Sequence, residues 1–244
     1  SPTELAELEI IYDKEIDLEC KTYFLDKLKF DYFTEEKKGK IIRRWRAEQS
    51  PKYEQYSGAP HIAYYAPHIE LYVKNIDTES GKKTILEKPS DLHQWYYSIT
   101  KDLRNKSKNE ELKQLVDSLV AQHSTEREQA KAIFNWVQDN VKYVAFEEGI
   151  GGFVPRTCDL VLSRKFGDCK DMANLIYSMF TLADIPAYLT WIGSRKIPYH
   201  YADLPTPTTD NHMIATYKSN NGYVFMDATD RAVKFGMPTA FIQG

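Results

Sequence analysis

Apolar residues follow two different periods along this chain. Up to about residue 90 they fall in short runs. Leu5–Ile11 reads Leu-Ala-Glu-Leu-Glu-Ile-Ile, and Glu19–Tyr32 alternates loosely through Tyr23, Leu25, Leu28 and Phe30. Gly39–Arg46 carries Ile41, Ile42 and Trp45, and Ile69–Val73 alternates cleanly as Ile-Glu-Leu-Tyr-Val. Lys38-Gly39, Ser57-Gly58-Ala59-Pro60 and Glu79-Ser80-Gly81 punctuate these runs as turns. Short strands at this spacing predict a β-rich, partial sandwich module over residues 1–90.

From about Pro89 the period becomes helical. Leu92, Trp95, Tyr96 and Ile99 sit at i, i+3, i+4 and i+7, and Leu112, Leu115, Val116 and Leu119 repeat the spacing. Thr125-Glu126-Arg127-Glu128 fits a capping box, opening a helix whose apolar face is Ala130, Ile133, Phe134, Val137 and Val141. A fourth helix begins near Cys169, carries Leu175, Ile176, Met179 and Phe180, and stops before Pro186. Strand patterns return at Ala187–Ile192, His212–Lys218 and Tyr223–Asp227. The fold class is therefore α+β, with a second domain over residues 91–244. Between the last strands, Lys196–Asp210 is rich in Pro, Tyr and Asp, and is long enough to be functional rather than a plain connection.

Composition changes this picture little. The chain has 244 residues, 42% hydrophobic and 27% charged, which suits one large globular domain or two small ones. A net charge of −3 gives no electrostatic case for nucleic acid or an anionic membrane. Lys37-Lys38 and Lys82-Lys83 sit beside Gly39 and Gly81 and read as solvated turns. No apolar run approaches the roughly 18 residues of a membrane span, and no signal-peptide pattern opens the chain. It starts on Ser1-Pro2 rather than Met, which fits a processed form or a fragment. Three cysteines, Cys20, Cys158 and Cys169, do not make a disulfide framework, although one bridge between Cys20 and Cys158 stays open.

Candidate chemistry centres on Gly167-Asp168-Cys169-Lys170-Asp171. It places a cysteine where a helix starts, and there the free N–H groups and the helix dipole favour an anion. Such sites lower a thiol pKa from about 8.5 into the range of about 3.5–7.5. A nucleophilic thiol needs a base, and the base an orienter. His212 and Asp227 offer one of each. They lie on strands joined through Ser219-Asn220-Asn221-Gly222, a hairpin signal. A two-residue loop at Asn221-Gly222 sets Thr216 opposite Asp227, and a four-residue loop sets Ile214 there. In both, His212 and Asp227 share a face; an odd-length loop separates them.

Blander readings compete. A lone cysteine is usually a small core hydrophobe, and that is the preferred reading of Cys20 and Cys158. The charges around Cys169 argue against a buried core position. A strand histidine is more often structural, and an Asp ending a strand more often a turn residue. His61, His68, His93, His123 and His200 show no metal-ligand spacing, so no metal or cofactor is expected. Gly149-Ile150-Gly151-Gly152 lacks the Gly-Lys-Ser/Thr of a phosphate loop and reads as a tight turn. Trp45, Tyr53, Tyr56, Tyr64 and Tyr65 read as strand and core aromatics rather than a binding surface.

The residues from about Glu126 to Gly244 resemble the transglutaminase-like superfamily of papain-like fold. The likeness is densest in Tyr143–Phe153 and Phe166–Asp171, and it extends to Asp184-Ile185-Pro186-Ala187-Tyr188, Asn211-His212 and Met226-Asp227-Ala228-Thr229. The first 90 residues resemble more weakly the uncharacterised β-rich domain that precedes such cores in bacterial proteins, through Ala66–Glu70 and Trp95-Tyr96-Tyr97, and are short for it. The resemblance implies Cys169 as nucleophile, His212 as general base and acid, and Asp227 as orienter, in a helix-borne-cysteine core packed on an antiparallel sheet. It implies a cysteine peptidase or amidase acting on peptide or glutamine amides through a thioester. The alternatives are an inactive binding or scaffolding module and a protein-glutamine transglutaminase. The Cys169 N–H is the expected oxyanion donor. Cross-linking members carry a tryptophan donor before the nucleophile; here no Trp lies between Trp136 and Cys169, and the stretch has Phe153 instead. With no calcium-loop pattern either, hydrolysis is favoured. The implied partners are peptide or protein substrates, and the implied location is periplasmic or extracellular.

Overall fold

The N-terminal runs form strands in a computed structural model that describes residues 3–54, 56–104, 106–145 and 148–242. Ser1-Pro2, Phe146 and Glu147 of the Tyr143–Phe153 motif, and Gln243-Gly244 lie outside the described residues. By its contacts the chain divides into two units, residues 1–93 with 196–209, and residues 94–195 with 210–244.

The first unit holds β1 (Thr3–Asp13), β2 (Ile16–Tyr23), β3 (Phe30–Lys37), β4 (Lys40–Ser50), β5 (His68–Thr78) and β6 (Gly81–Thr84). They form two antiparallel sheets, ordered β1-β4-β3 and β2-β5-β6. The run Glu19–Tyr32, expected as one strand, is two. Phe24 takes a left-handed φ of 56° and a short 3₁₀ turn, Leu25–Lys27, follows, so the chain leaves one sheet and enters the other. Strand alternation sorts β1-β4-β3 into two faces. Leu8, Trp45 and Tyr32 stand side by side on one, and Glu9 and Arg44 pair on the other. Trp45 is buried with Tyr32 against it, whereas Tyr56 and Tyr64 are exposed. The Lys196–Thr209 segment returns to this unit. Its Tyr199 hydroxyl lies 2.6 Å from His68 Nε2 and donates to Glu70 at 3.0 Å, while Tyr23 stacks on the His68 ring.

In the chain between and beyond come α1 (Pro89–Ile99), α2 (Glu110–Val120), α3 (Glu126–Asn140), β7 (Lys142–Tyr143), α4 (Cys158–Arg164), β8 (Phe166–Gly167), α5 (Cys169–Leu182), β9 (Ala187–Ile192), β10 (His212–Ser219) and β11 (Gly222–Met226). The expected capping box forms: Thr125 Oγ1 accepts from the Glu128 N–H and Glu128 Oε2 from the Thr125 N–H. Ile133, Phe134 and Val137 of α3 are fully buried, as are Leu175, Met179 and Phe180 of α5. Each such side chain contributes about 1.5–3 kcal/mol through burial. The α5 helix packs on β9 and β10, the flank and centre of the antiparallel sheet β11-β10-β9. It ends where Asp184 turns left-handed (φ 56°), with the Ile185 N–H closing on the Phe180 carbonyl just before Pro186. This is the helix-borne cysteine on an antiparallel sheet that the sequence led us to expect, and the fold class is α+β. The α4 helix and strand β6 were not anticipated, and Gly149–Gly152 is a 3₁₀ turn. No helix among the described residues is long and apolar enough to cross a membrane.

Candidate active site

Asp168 caps α5. Its Oδ1 accepts from the Lys170 and Asp171 N–H groups, and Asp171 Oδ2 accepts from the Asp168 N–H in return. Cys169 is thereby the first helical residue, with its N–H directed out of the helix end. Among the described residues, that N–H makes no backbone or side-chain hydrogen bond. Contrary to expectation, Cys169 is buried, at 2% exposure. The charges beside it do not hold it at the surface because Asp168, Lys170 and Asp171 are themselves buried and paired: Lys170 with Asp168, and Asp171 with the partly exposed Arg156.

The β10–β11 ladder pairs Ala215 with Met226 and Ser219 with Gly222. Extending it one residue sets Ile214 opposite Asp227, the register expected of the four-residue loop. The tight turn is nevertheless Asn220-Asn221, and Gly222 takes φ +115° as the first residue of β11. In this register His212 and Asp227 are diagonal neighbours on one face, and their side chains meet: His212 Nε2 donates to Asp227 Oδ2 at 2.8 Å. That leaves Nδ1 of the ring free to face Cys169, whose sulfur is near enough to raise the imidazole pKa.

All four acceptor directions of Asp227 are used. Oδ1 takes the Thr229 N–H at 3.1 Å and the Thr229 hydroxyl at 2.7 Å, and Oδ2 takes His212 and the Thr239 hydroxyl at 2.8 Å. Burial alone would raise the Asp227 carboxyl pKa, but these donors, His212 first, hold it below its ordinary value. Burial likewise opposes a charge on His212. The Asp227 carboxylate and the Cys169 sulfur outweigh it and raise the imidazole to about 9. The protonated ring is therefore favoured, held between a carboxylate and a sulfur. Its stabilisation is complete below the ordinary histidine value of about 6.5 and is lost as pH rises through about 9.

Neighbours pack on the ring and anchor the chain that leads into it. Phe241 meets it edge-on at 5.2 Å. Asn211 is held by Ser194 through both ends of its amide, and Tyr96 donates to Asp210. A cleft of about 460 Å³ opens beside His212, lined by Tyr143, Ala145, Thr229, Asp230 and Phe241. Val144 bonds to the Gly167 carbonyl, so this wall runs alongside the strand that leads into Cys169. The arrangement can ionise a thiol, protonate a leaving group and support an oxyanion.

Cys20 and Cys158 are free thiols, half-buried and buried, and no bridge joins them. Among the described residues no group of three or more His, Cys, Asp or Glu gathers as a metal site. Sequence reasoning gave no role to Thr239, Thr229, Arg156 or Lys170. The local Asp-x-Thr spacing could have marked Thr229; nothing local marks Thr239, twelve residues beyond Asp227.

Residues 113–228 match the model of the transglutaminase-like superfamily, a segment that starts earlier and ends earlier than the resemblance in the sequence suggested. The family resemblance is thus borne out over this segment. Among solved structures, a "putative protease" from Parabacteroides distasonis ATCC 8503 is similar in fold, with a TM-score of 0.68 at 15% identity. The likeness covers 93% of this chain and 41% of that one, so the chain spans less than half of that protein's length. A "putative cysteine protease" from Cytophaga hutchinsonii gives a TM-score of 0.40 at 14% identity, over 92% of this chain and 72% of that one. LapG of Legionella pneumophila gives 0.36 at 14%, over 62% and 76%. No curated protein matches the chain.

Proposed function

We propose that the transglutaminase-like core is a thiol-dependent amide hydrolase, a cysteine peptidase or amidase acting on peptide or glutamine amides. One observation carries the reading: His212 is hydrogen-bonded to a saturated Asp227 carboxylate, and the sulfur that starts α5 is near enough to help raise the imidazole pKa. In this reading Cys169 is the nucleophile, His212 the acid and base, and Asp227 the orienter.

The reactive form pairs a Cys169 thiolate with the His212 imidazolium. The Cys169 sulfur attacks the amide carbonyl carbon, and the carbonyl oxygen becomes an oxyanion that accepts from the Cys169 N–H. His212 gives its Nδ1 proton to the departing nitrogen, the C–N bond breaks, and a thioester with a free amine results. His212 then takes a proton from water, hydroxide adds to the thioester, and the carboxylic acid leaves as the thiolate re-forms. Asp227 remains ionised throughout and keeps Nε2 protonated, so that the nitrogen facing sulfur is the one that exchanges its proton.

The reading is tested with a panel of peptide and glutamine-amide substrates, following free acid and amine release with and without a fluorescent primary amine. Hydrolysis that disappears in Cys169→Ala and in His212→Ala is the expected result. Incorporation of the amine in place of hydrolysis would make the chain a transglutaminase. No turnover of any substrate, with an intact fold, would leave a binding module.

A further inference from the structure

Cys169 starts its helix between two carboxylates, Asp168 before it and Asp171 two residues after, both with fully buried side chains. A negative charge so close to a thiol opposes formation of a thiolate. Each carboxylate has its own cation. Lys170, also fully buried, donates to Asp168 Oδ2. Arg156, in the segment before α4, donates through Nη1 to Asp171 Oδ2 at 2.5 Å, with Asp168 Oδ2 at 3.5 Å. The four charges sum to zero.

Arg156 is also tied to α5 through its backbone. Its N–H donates to Asp171 Oδ1 at 2.8 Å, and its carbonyl accepts from Asn174 Nδ2 at 2.8 Å. The clamp thus holds the first and second turns of the cysteine helix. Gly167 records how closely the parts meet: a Cβ there would lie 2.6 Å from Asp171 Cβ. Asp171 fills the space that any other residue at 167 would need.

We propose that Arg156 is a positioning residue for the cysteine chemistry, neutralising Asp171 and fixing the first turn of α5 so that the thiolate meets no unbalanced negative charge from its own helix. The inference rests on the reading of Cys169 as nucleophile. The charged groups gathered at the start of the cysteine helix are Asp168, which caps α5, Lys170 and Asp171 within it, and Arg156 from the segment before α4, while His212 comes from β10 with Asp227 behind it. A guanidinium suits the task because it keeps its charge at every pH the protein meets and binds a carboxylate in a fixed plane.

The test is the pH midpoint of Cys169 alkylation by iodoacetamide, read by mass spectrometry, with a melting curve for each variant. Arg156→Gln leaves Asp171 unbalanced and raises the midpoint by about one unit. Asp171→Asn keeps an oxygen for the helix cap but leaves Arg156 unbalanced, and lowers it. The double variant Arg156→Gln/Asp171→Asn returns close to the parent, and Arg156→Lys stays near it. A midpoint unmoved in Arg156→Gln with a native melting curve would overturn the proposal. So would a double variant displaced as far as Arg156→Gln alone, since geometry rather than charge would then be responsible. If Arg156→Gln does not fold, the downward shift in Asp171→Asn decides: its absence overturns the proposal. Failure of the nucleophile reading itself shows separately, as a parent midpoint that His212→Ala does not change.

Discussion

The β1-β4-β3 sheet and the start of α5 use the same charged residue types in opposite ways. On the sheet, Arg44 reaches Glu7 and Glu9 across β1, and Lys40 reaches Asp13, all with side chains at least 36% exposed. Water screens such pairs and side-chain entropy opposes them, so each contributes little. At the helix start, Asp168, Lys170 and Asp171 have no exposed side-chain surface. Removing these charges from water costs several kcal/mol each, and the folded state keeps them only as complete pairs. The sheet spends its charges on solubility and register. The helix start retains buried charge where an ordinary core would have apolar side chains, and it does so beside the one cysteine that meets a histidine.

The sharpest way to break this contrast is Lys170→Met. It fills similar space but removes the nearer cation of Asp168, leaving only Arg156 Nη1 at 3.5 Å, and a urea titration is expected to show a loss of about 3–5 kcal/mol. A loss under 1 kcal/mol would mean the pair is not a buried ion pair in solution. Next in size is Thr239→Val, which removes one of the four donors to Asp227 while keeping the side chain's shape. With the hydrogen bond worth about 1–2 kcal/mol, kcat/KM is expected to fall by about five- to thirtyfold on the best substrate. An unchanged kcat/KM would remove Thr239 from the orienting network. The pH profile of that same kcat/KM comes third. Because His212 is raised to about 9, activity is expected to hold through neutrality and to fall on an alkaline limb near that value as the imidazolium loses its proton. A limb near 6.5 would mean the Asp227 and Cys169 contacts do not hold the ring. The smallest effect is Arg44→Ala on the exposed sheet, where the urea midpoint is expected to stay within error of the parent. A clear drop there would erase the contrast between the two regions.

Much of the second unit was legible in the sequence because its helices obey local rules. The α3 face and capping box, the α5 face and the stop before Pro186 follow from spacing and cap chemistry alone. The His212–Asp227 pair was legible as parity, since any even loop puts both on one face, although only the structure chooses Ile214 as the residue opposite Asp227. Burial of Cys169 was misread. Gly-Asp-Cys-Lys-Asp looks as polar as Arg43-Arg44-Trp45-Arg46, and local composition cannot tell charges that face water from charges that face each other. Arg156 and Thr239 reach the site from segments distant in the chain and carry no local signal. In the first unit, the break at Phe24 was missed because a left-handed phenylalanine has no mark in the apolar pattern.

The proposed chemistry depends on an ion pair between Cys169 and His212, and the pH dependence of iodoacetamide labelling at Cys169 tests that pair most directly. Labelling would be located by mass spectrometry in the native chain and in His212→Ala, with Cys20 and Cys158 as internal controls. Fast labelling of Cys169 near pH 6 that is lost in His212→Ala is the expected result. Labelling that rises only near pH 8.5, the ordinary range of a free thiol, and is the same in both chains would contradict it.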